Sequence, residues 1–512
     1  MAAVTADSSP PSSLHKAGTT LAVLLATISM VMSSTMGNVI IPDVMGTFGI
    51  GQDQAHWIST GFLSAMGAGM LLNASLMTRF GPRNVLMGAL AVFAVAAFAG
   101  QYAPTFAGVV VARIAQGLCA GLVQPLGLSV VFLAFAPAER SKAMGWYGMG
   151  IVFGPAVGPL IGGFIVEETH WRMVLAAPLP IMFVAACLAT RFVPGRDANA
   201  VRAPFNIVSF VLVIASIMLF LSGISAGQRD GWATDPVFFL LFGSASAMIA
   251  FVLRELSSPT PLLQPKLFAY PMYVATAIVA FVFGAGLFGT LYIVPVMVQT
   301  VQGFSALDAG LVLLPGGILM MLAPPVAGRL AGNLPAFVII GAGFLILAGS
   351  CWLLAGAGIL TTFWVMAALI AFGRIGLSII IPAQNLATME AVPRELAAYA
   401  SGTMNFIRIV GTAIGVNVLA ILLESRISQH GSELLISQTA DNFVSSDLRS
   451  TLAEYLAVTG LPIEGRSVIA MGYLRDALSL KAHELAFQDG HIALALFFLA
   501  GAAATVLLLR RS

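Results

Sequence analysis

The chain has 512 residues, of which 59% are hydrophobic and only 9% are charged, and its net charge is +2. A soluble domain carries about 25% charged residues, so this composition excludes a soluble globular protein. The near-neutral charge argues against a nucleic-acid partner. The sequence has no Walker A loop, no Cys/His zinc spacing and no GxSxG elbow, so we expect no enzymatic activity, no metal and no cofactor.

Long apolar runs predict α-helices that cross a membrane, at roughly 20 residues per span. Fourteen runs qualify: 19–41, 56–76, 85–101, 106–134, 143–165, 172–193, 205–226, 236–254, 270–298, 306–328, 334–356, 360–383, 398–423 and 488–509. Lys and Arg concentrate in loops on the side of the N-terminus, and only Arg172 and Arg229 fall in short outer loops. Both termini are therefore predicted to be cytoplasmic.

The spans divide into six, two inserted and six more, a pattern typical of a repeat-built secondary transporter. We expect a cytoplasmic tail (1–18), an N-terminal six-helix bundle (19–193), a linker with two extra spans (194–268) and a C-terminal six-helix bundle (269–512). The outer segment 424–487 is polar and contains two short amphipathic patterns. It is predicted to cap the outer vestibule or to meet a partner, and a solvated loop is the alternative. Composition alone leaves a channel or a polytopic enzyme open.

The fifth span contains "GMGIVFGPAVGPLIGGFI", in which small residues replace good helix formers. Four glycines recur every four residues and share one helix face, so a neighbouring helix can approach closely. Prolines remove internal hydrogen bonds and bend a membrane helix. The residues concerned are Gly150, Gly154, Pro155, Gly158, Pro159, Gly162 and Gly163. A tight helix contact alone would need fewer of them.

An arginine lies inside the fourth span, in "RIAQGLCAG". A charged side chain within a bilayer costs several kcal/mol, so Arg113 should face a polar cavity or a partner. Gln116, in the same motif, is a further candidate for transport or coupling. The alternative is that Arg113 only braces helices. In the first span, "MSSTMGNVIIP", Ser33 and Asn38 are the polar candidates, and Asp43 is the nearest carboxylate.

These motifs resemble the major facilitator superfamily, and "PVMVQTVQGFSALDAGLVLLPGG" and "SGTMNFIRIVGTAIG" resemble its fourteen-span drug:proton antiporter-2 branch of multidrug efflux permeases. "LMTRFGPR" keeps Arg79, Gly81 and Arg83 of the family's inner gate. The resemblance implies an all-α polytopic fold of two six-helix bundles plus two inserted helices, and export in exchange for protons. It also implies that the fifth-span helix seals the interface between the halves and that Arg113 takes part in proton transfer.

The chain departs from the branch where protons would be carried. Ser33 replaces the usual Asp of the first span, Thr78 replaces the Asp of the inner gate, and Pro178 replaces an Asn. No Asp or Glu falls in the middle third of a predicted span, and all six histidines are predicted in tails, loops or span ends. An exporter of a specific metabolite or siderophore that is not driven by protons therefore stays open, as does a non-transporting sensor.

Other polar residues at depth are candidates for a transport cavity: Gln124, Gln299, Arg374, Asn385, Asn405 and Arg408. Cationic groups without mid-membrane acids favour neutral, zwitterionic or anionic amphiphiles as substrates. The expected partners are a lipophilic small molecule, protons and the lipid bilayer of a bacterial inner membrane. The resemblance adds a periplasmic adaptor protein, for which segment 424–487 is the candidate surface.

Overall fold

A computed structural model describes residues 13–55, 57–196, 206–259, 261–304, 306–330, 333–438, 443–457 and 463–509. The described residues are almost entirely helical and contain no strand, which confirms the predicted fold class. Fourteen of the helices among them are long and apolar enough to cross a membrane, the number predicted. Most of the predicted tail 1–18 and most of the polar stretch 194–204 lie outside the described residues.

The N-terminal half contains eight of the described α-helices. They are α1 (Ser13–Val39), α2 (Ile41–Phe48), α3 (Gln52–Ala55), α4 (Trp57–Phe80), α5 (Pro82–Gln101), α6 (Phe106–Ala134), α7 (Pro137–Glu168) and α8 (Leu179–Phe192). The sixth predicted span begins as a short 3-10 helix, Trp171–Leu175, and continues as α8. Proline is the first residue of α5 and α7, where its missing N–H has no helical partner to lose.

The inserted pair and the C-terminal half follow. They are α9 (Ile207–Asp230), α10 (Asp235–Ser257), α11 (Pro271–Thr300), α12 (Ala306–Leu330), α13 (Ala336–Ala355), α14 (Phe363–Glu390), α15 (Ala397–Ile436), α16 (Phe443–Ala457) and α17 (Ile463–Leu509). Helices α9 and α10 are joined by a reciprocal pair, in which the Ser216 and Ser244 hydroxyls each donate to the other's carbonyl at 3.1 and 2.9 Å. The predicted domain boundaries stay a prediction.

The two halves meet tightly at one end of the molecule. We call this the near end; it carries the start of α1 and the ends of α6 and α12, and the opposite end is the far end. Asn73 on α4 donates to the Ala398 carbonyl at 3.2 Å, and the Ser129 and Ser401 hydroxyls are 2.7 Å apart. Ser401 also bonds the Pro125 carbonyl, at 3.2 Å. These contacts join α4 and α6 to the first turns of α15.

The polar segment 424–487 is more regular than the sequence indicated. Helix α15 continues to Ile436 and α17 begins at Ile463, so the last two spans extend beyond the bundle as continuous helices. Helix α16 matches the first predicted amphipathic pattern in its described part, whereas the second is part of α17. No proline interrupts 463–509, so the helical hydrogen bonding continues into the span. His430 on α15 contacts the Asp489 carboxylate on α17 at 2.9 Å and ties the extensions together.

Candidate functional site

Arg113 is the centre of a buried polar network in the N-terminal half. Its side chain is 1% exposed, and its Nη1 donates to the Ser33 hydroxyl at 2.9 Å and to Gln116 Oε1 at 3.0 Å. Its Nη2 donates to the Ser33 carbonyl at 3.0 Å, and Nε donates to the Ile58 carbonyl at 3.4 Å. The residue that stands at the usual Asp position is therefore the direct partner of the arginine.

The surroundings of this network hold the guanidinium in one orientation. The Phe62 ring lies beneath it, 4.2 Å from the guanidinium carbon to the ring centroid. Gly37 on α1 leaves the space that the guanidinium fills, because a Cβ there would collide with Nη2. Gln116 donates onward to the Leu175 carbonyl at 3.1 Å, which links α6 to the start of the sixth span. The network thus ties α1, α4, α6 and the sixth span with neutral acceptors only.

The glycine face of α7 packs on α1. A Cβ added at Gly154 would lie 2.9 Å from the Ile28 carbonyl oxygen, and one at Gly158 would collide with the Thr35 hydroxyl. A Cβ added at Gly150 or Gly162 would also contact α1, whereas one added at Gly163 would have no atom of the described residues within 4 Å. Pro155 and Pro159 lie inside α7, which continues through them. The face predicted from the sequence is therefore a close helix contact within the N-terminal half.

A different part of α7 meets the C-terminal half. A Cβ at Gly145 would lie 2.7 Å from the Pro324 carbonyl oxygen on α12 and 3.1 Å from the Gly328 Cα. Gly148, one turn further, faces Ile381 and Pro382 on α14. Helix α7 therefore contacts α1 through one set of glycines. It contacts the C-terminal half through a second set, Gly145 and Gly148. This arrangement places it at the interface that the family resemblance implied.

The predicted inner gate lies in the tight loop between α4 and α5. Gly81 has φ +79°, a left-handed conformation that favours glycine, and its Cα approaches the Arg196 backbone closely. Arg83 Nε donates to the Val193 carbonyl at 2.7 Å, and Arg79 lies over the Phe80 ring. Arg83 thus braces the end of α8 in its own half and makes no recorded contact with the other half among the described residues.

The C-terminal half repeats the arginine arrangement. Arg374 on α14, the fourth helix of this half, donates to the Thr290 hydroxyl on α11, its first helix, at 3.4 Å. Arg113 and Ser33 occupy the fourth and first spans of the N-terminal half in the same way. The dipeptide Arg-Ile occurs at both positions, but it also occurs at Arg408 and Arg426, so the sequence carries no specific signal for this relation.

A second arginine of the C-terminal half, Arg408, is held by amides. Its Nη1 donates to Asn405 Oδ1 at 3.1 Å, and its Nη2 donates to Gln384 Oε1 at 3.1 Å and Asn385 Oδ1 at 3.2 Å. Arg408 Nε and Asn385 Nδ2 are buried and have no hydrogen-bond partner within the described part of the chain. Three predicted cavity residues are thus brought together on α14 and α15.

The remaining predicted site residues lie apart from these clusters. Gln299 is exposed and donates to the Pro295 carbonyl of its own helix at 3.0 Å. Asp43 is exposed in the first turn of α2, beyond the end of α1. Asn38 accepts a hydrogen bond from the Ser59 hydroxyl. Gln124 is 5% exposed, and its Oε1 accepts no hydrogen bond from any described residue. Asp43 is therefore not brought to Arg113 in this structure.

The structure has two helical halves that meet at one end, and each half has a buried arginine on its fourth membrane span, α6 or α14. This architecture is that of a polytopic membrane transporter. The sequence profile of the Major Facilitator Superfamily matches residues 23–416, which is more than half of the chain. The chain belongs to the Major Facilitator Superfamily. This confirms the family predicted from the fourth- and fifth-span motifs.

Relatives and solved structures agree with this assignment. The chain is 25% identical to the uncharacterized MFS-type transporter YhcA of Bacillus subtilis, over 94% of this chain and 91% of the relative. It is 26% identical to the multidrug export protein EmrB of Escherichia coli, over 93% of each chain. The fold matches the human organic anion transporter MFSD10 with a TM-score of 0.63 at 12% identity, over 96% of this chain and 99% of that one. The resemblance to the fourteen-span efflux branch is confirmed by the relatives.

Proposed function

We propose that the chain is a secondary active exporter that moves amphipathic small molecules across a bacterial inner membrane by alternating access, in exchange for protons. The observation that carries this proposal is the closure of the two halves at the near end, where glycines and short polar contacts bring helices of opposite halves together. Gly145 and Gly328 let α7 and α12 touch, and Ser129 and Ser401 bond across the seam.

The near end is assigned to the cytoplasm because short cytoplasmic loops are rich in Lys and Arg. Arg83, Arg140 and Lys142 all lie at this end, and both termini are placed there by the same rule. A transporter closed at its cytoplasmic end is in an outward-facing or an occluded state. An exporter passes through the outward-facing state when it releases substrate and takes up the coupling ion.

Neutral, zwitterionic or anionic amphiphiles are the proposed substrates. Arg113, Arg374 and Arg408 are buried, and none of them forms an ion pair with a carboxylate among the described residues. Cationic groups of this kind oppose the entry of dicationic drugs. The printed name of the EmrB relative, a multidrug export protein, supports a lipophilic substrate class.

A second candidate is an exporter that is not driven by protons, such as one for a specific metabolite or siderophore. The Ser33–Arg113 contact favours it, because a hydroxyl stands where a protonatable carboxylate would couple the arginine to proton uptake. The family resemblance therefore favours protons as the energy source, whereas Ser33 at the usual Asp position argues against them.

A growth-inhibition panel in a sensitive strain tests export. Cells that express the chain should tolerate higher concentrations of at least one lipophilic compound than cells that express the Arg113→Ala variant at equal membrane abundance. A protonophore should then restore accumulation of that compound if export is proton-driven. Unchanged accumulation with the protonophore would favour the second candidate, and equal tolerance of both strains across the panel would contradict export.

The extended helices α15 and α17, with α16 between them in sequence, are proposed as the surface for a periplasmic adaptor. Their exposed apolar side chains include Ile436, Tyr455, Val468 and Tyr473. Cross-linking from these positions in whole cells tests this proposal. Exposed positions on other spans, such as Val95 on α5, serve as controls. Cross-links to lipid only would contradict it.

A further inference from the structure

A small cavity lies inside the C-terminal half, between α11, α13, α14 and α17. Its volume is about 20 Å³, and its lining includes Thr290, Cys351, Arg374 and His491. A cavity of this size has room for one particle the size of a water molecule. It is too small for an amphipathic substrate.

The Arg374 guanidinium makes few hydrogen bonds at this cavity. Its side chain is 5% exposed, and the hydrogen bond to Thr290 at 3.4 Å is the one recorded for it among the described residues. The Thr290 and Ser350 hydroxyls donate to the Leu287 and Leu369 carbonyls at 2.8 Å each, so neither offers its proton to a ligand. By contrast, the Arg113 guanidinium makes four hydrogen bonds.

The second feature of the cavity is a histidine with one free ring nitrogen. His491 is 0% exposed, and its Nδ1 lies 2.8 Å from the Phe487 carbonyl oxygen. A carbonyl oxygen only accepts hydrogen bonds, so Nδ1 must carry the proton. Nε2 then presents a lone pair in the neutral ring, and it has no partner among the described residues. Protonation converts Nε2 into a second donor.

We propose that this cavity binds one small monovalent anion of chloride size, together with a proton on His491. The anion accepts hydrogen bonds from the Arg374 guanidinium and from protonated Nε2. Anion and proton enter as a neutral pair, which avoids placing an additional net charge in the protein interior. When His491 is neutral, a water molecule can instead donate to Nε2 and accept from Arg374.

The charged neighbours of His491 support an anion. Arg374 on α14 and Cys351 on α13 are the ionisable groups that line the cavity beside it, and α11 contributes Thr290. No carboxylate lines this cavity. The other ionisable groups on the helices around it lie outside the lining, and those nearest to it in sequence or on the same turns include Tyr292 on α11, Glu424 on α15, and Glu484 and Asp489 on α17. Asp489 is already engaged by His430, and Glu484 by Lys481.

Thermal unfolding of the purified full chain in detergent tests the proposal. The midpoint is measured in sodium chloride, sodium bromide and sodium gluconate at equal ionic strength, at about pH 4.5 and about pH 8, so that the lower pH favours protonation of His491 and the higher pH opposes it. Chloride and bromide should raise the midpoint in a saturable way, and gluconate should not. The half-saturating halide concentration should be roughly tenfold lower at the lower pH, because proton and anion favour each other's binding.

Three variants assign the effect. Arg374→Gln should abolish the halide shift, and the exposed Arg191→Gln should keep it. His491→Gln should keep a halide shift that no longer depends on pH, because its amide donates at every pH. This last variant keeps the proposal falsifiable if Arg374→Gln does not fold. Equal midpoints in halide and gluconate, or an unchanged shift in Arg374→Gln, would overturn the site. A wild-type shift independent of pH would overturn the role of His491. The readout is binding, so it is independent of the proposed export.

Discussion

Arg113→Lys is the most informative perturbation of the N-terminal network. The guanidinium uses three nitrogens to reach four acceptors: the Ser33 hydroxyl and carbonyl, the Gln116 amide oxygen and the Ile58 carbonyl. A lysine keeps the positive charge but replaces the planar fork with one ammonium on a flexible stem. The variant therefore separates charge, which it retains, from geometry, which it removes.

The size of the effect follows from the hydrogen bonds that are lost. If the ammonium keeps two of the four acceptors, two hydrogen bonds to a charged donor are lost, each of which contributes about 1.5–3 kcal/mol. The cost to the network is then about 3–6 kcal/mol. Because 1.4 kcal/mol corresponds to about a tenfold change in an equilibrium, transport that depends on this network should fall by about a hundredfold or more.

The assay is substrate efflux from cells with matched membrane abundance of each variant, together with the thermal midpoint of the purified protein. Arg191→Lys is the matched control, because Arg191 is exposed at the end of α8 and should tolerate the exchange. Efflux and a midpoint close to those of the wild type in Arg113→Lys would refute the reasoning. Such a result would show that charge alone is sufficient at this position.

Three further changes test other parts of the structure. Gly158→Leu should abolish efflux because its side chain would overlap the α1 backbone, whereas Gly163→Leu, in open space, should leave efflux near normal; equal loss in both would contradict the glycine-face contact. Ser33→Asp should form an ion pair with Arg113 and make efflux more strongly dependent on external pH than in the wild type; an unchanged pH profile would contradict the direct coupling of these residues. Ser401→Ala removes the hydroxyl that bonds across the near end, so a near-end cysteine probe should react faster, and an unchanged rate would contradict this closure.

The sequence was sufficient for the class of fold because bilayer thickness sets a length that apolar runs must match. It also singled out Arg113, since a charge within a span needs polar surroundings, but it did not show that Ser33 is its partner. The partner helix of the fifth-span glycines was not readable, because a small face shows that something approaches closely without showing what it is. The structure identifies α1 as that helix.

Two features of the C-terminal half required three-dimensional information. His491 was predicted at the end of a span, but α17 continues beyond the bundle and its packing buries the ring beside Arg374. The polar composition of 424–487 indicated a loop with short helices, yet amphipathic patterns without a proline extend both flanking spans. In both cases helix continuity, a long-range property, decided the position of side chains that local patterns had left ambiguous.

Substrate flux in proteoliposomes with an imposed pH gradient tests the proposed exchange most directly. A lipophilic compound identified by the growth panel is loaded, and its movement is followed with the gradient applied, reversed or collapsed. The account predicts that the compound moves against its own concentration gradient only when protons flow in the opposite direction, and that Arg113→Lys abolishes this movement. Flux that follows only the compound's own gradient, whatever the pH difference, would contradict proton exchange.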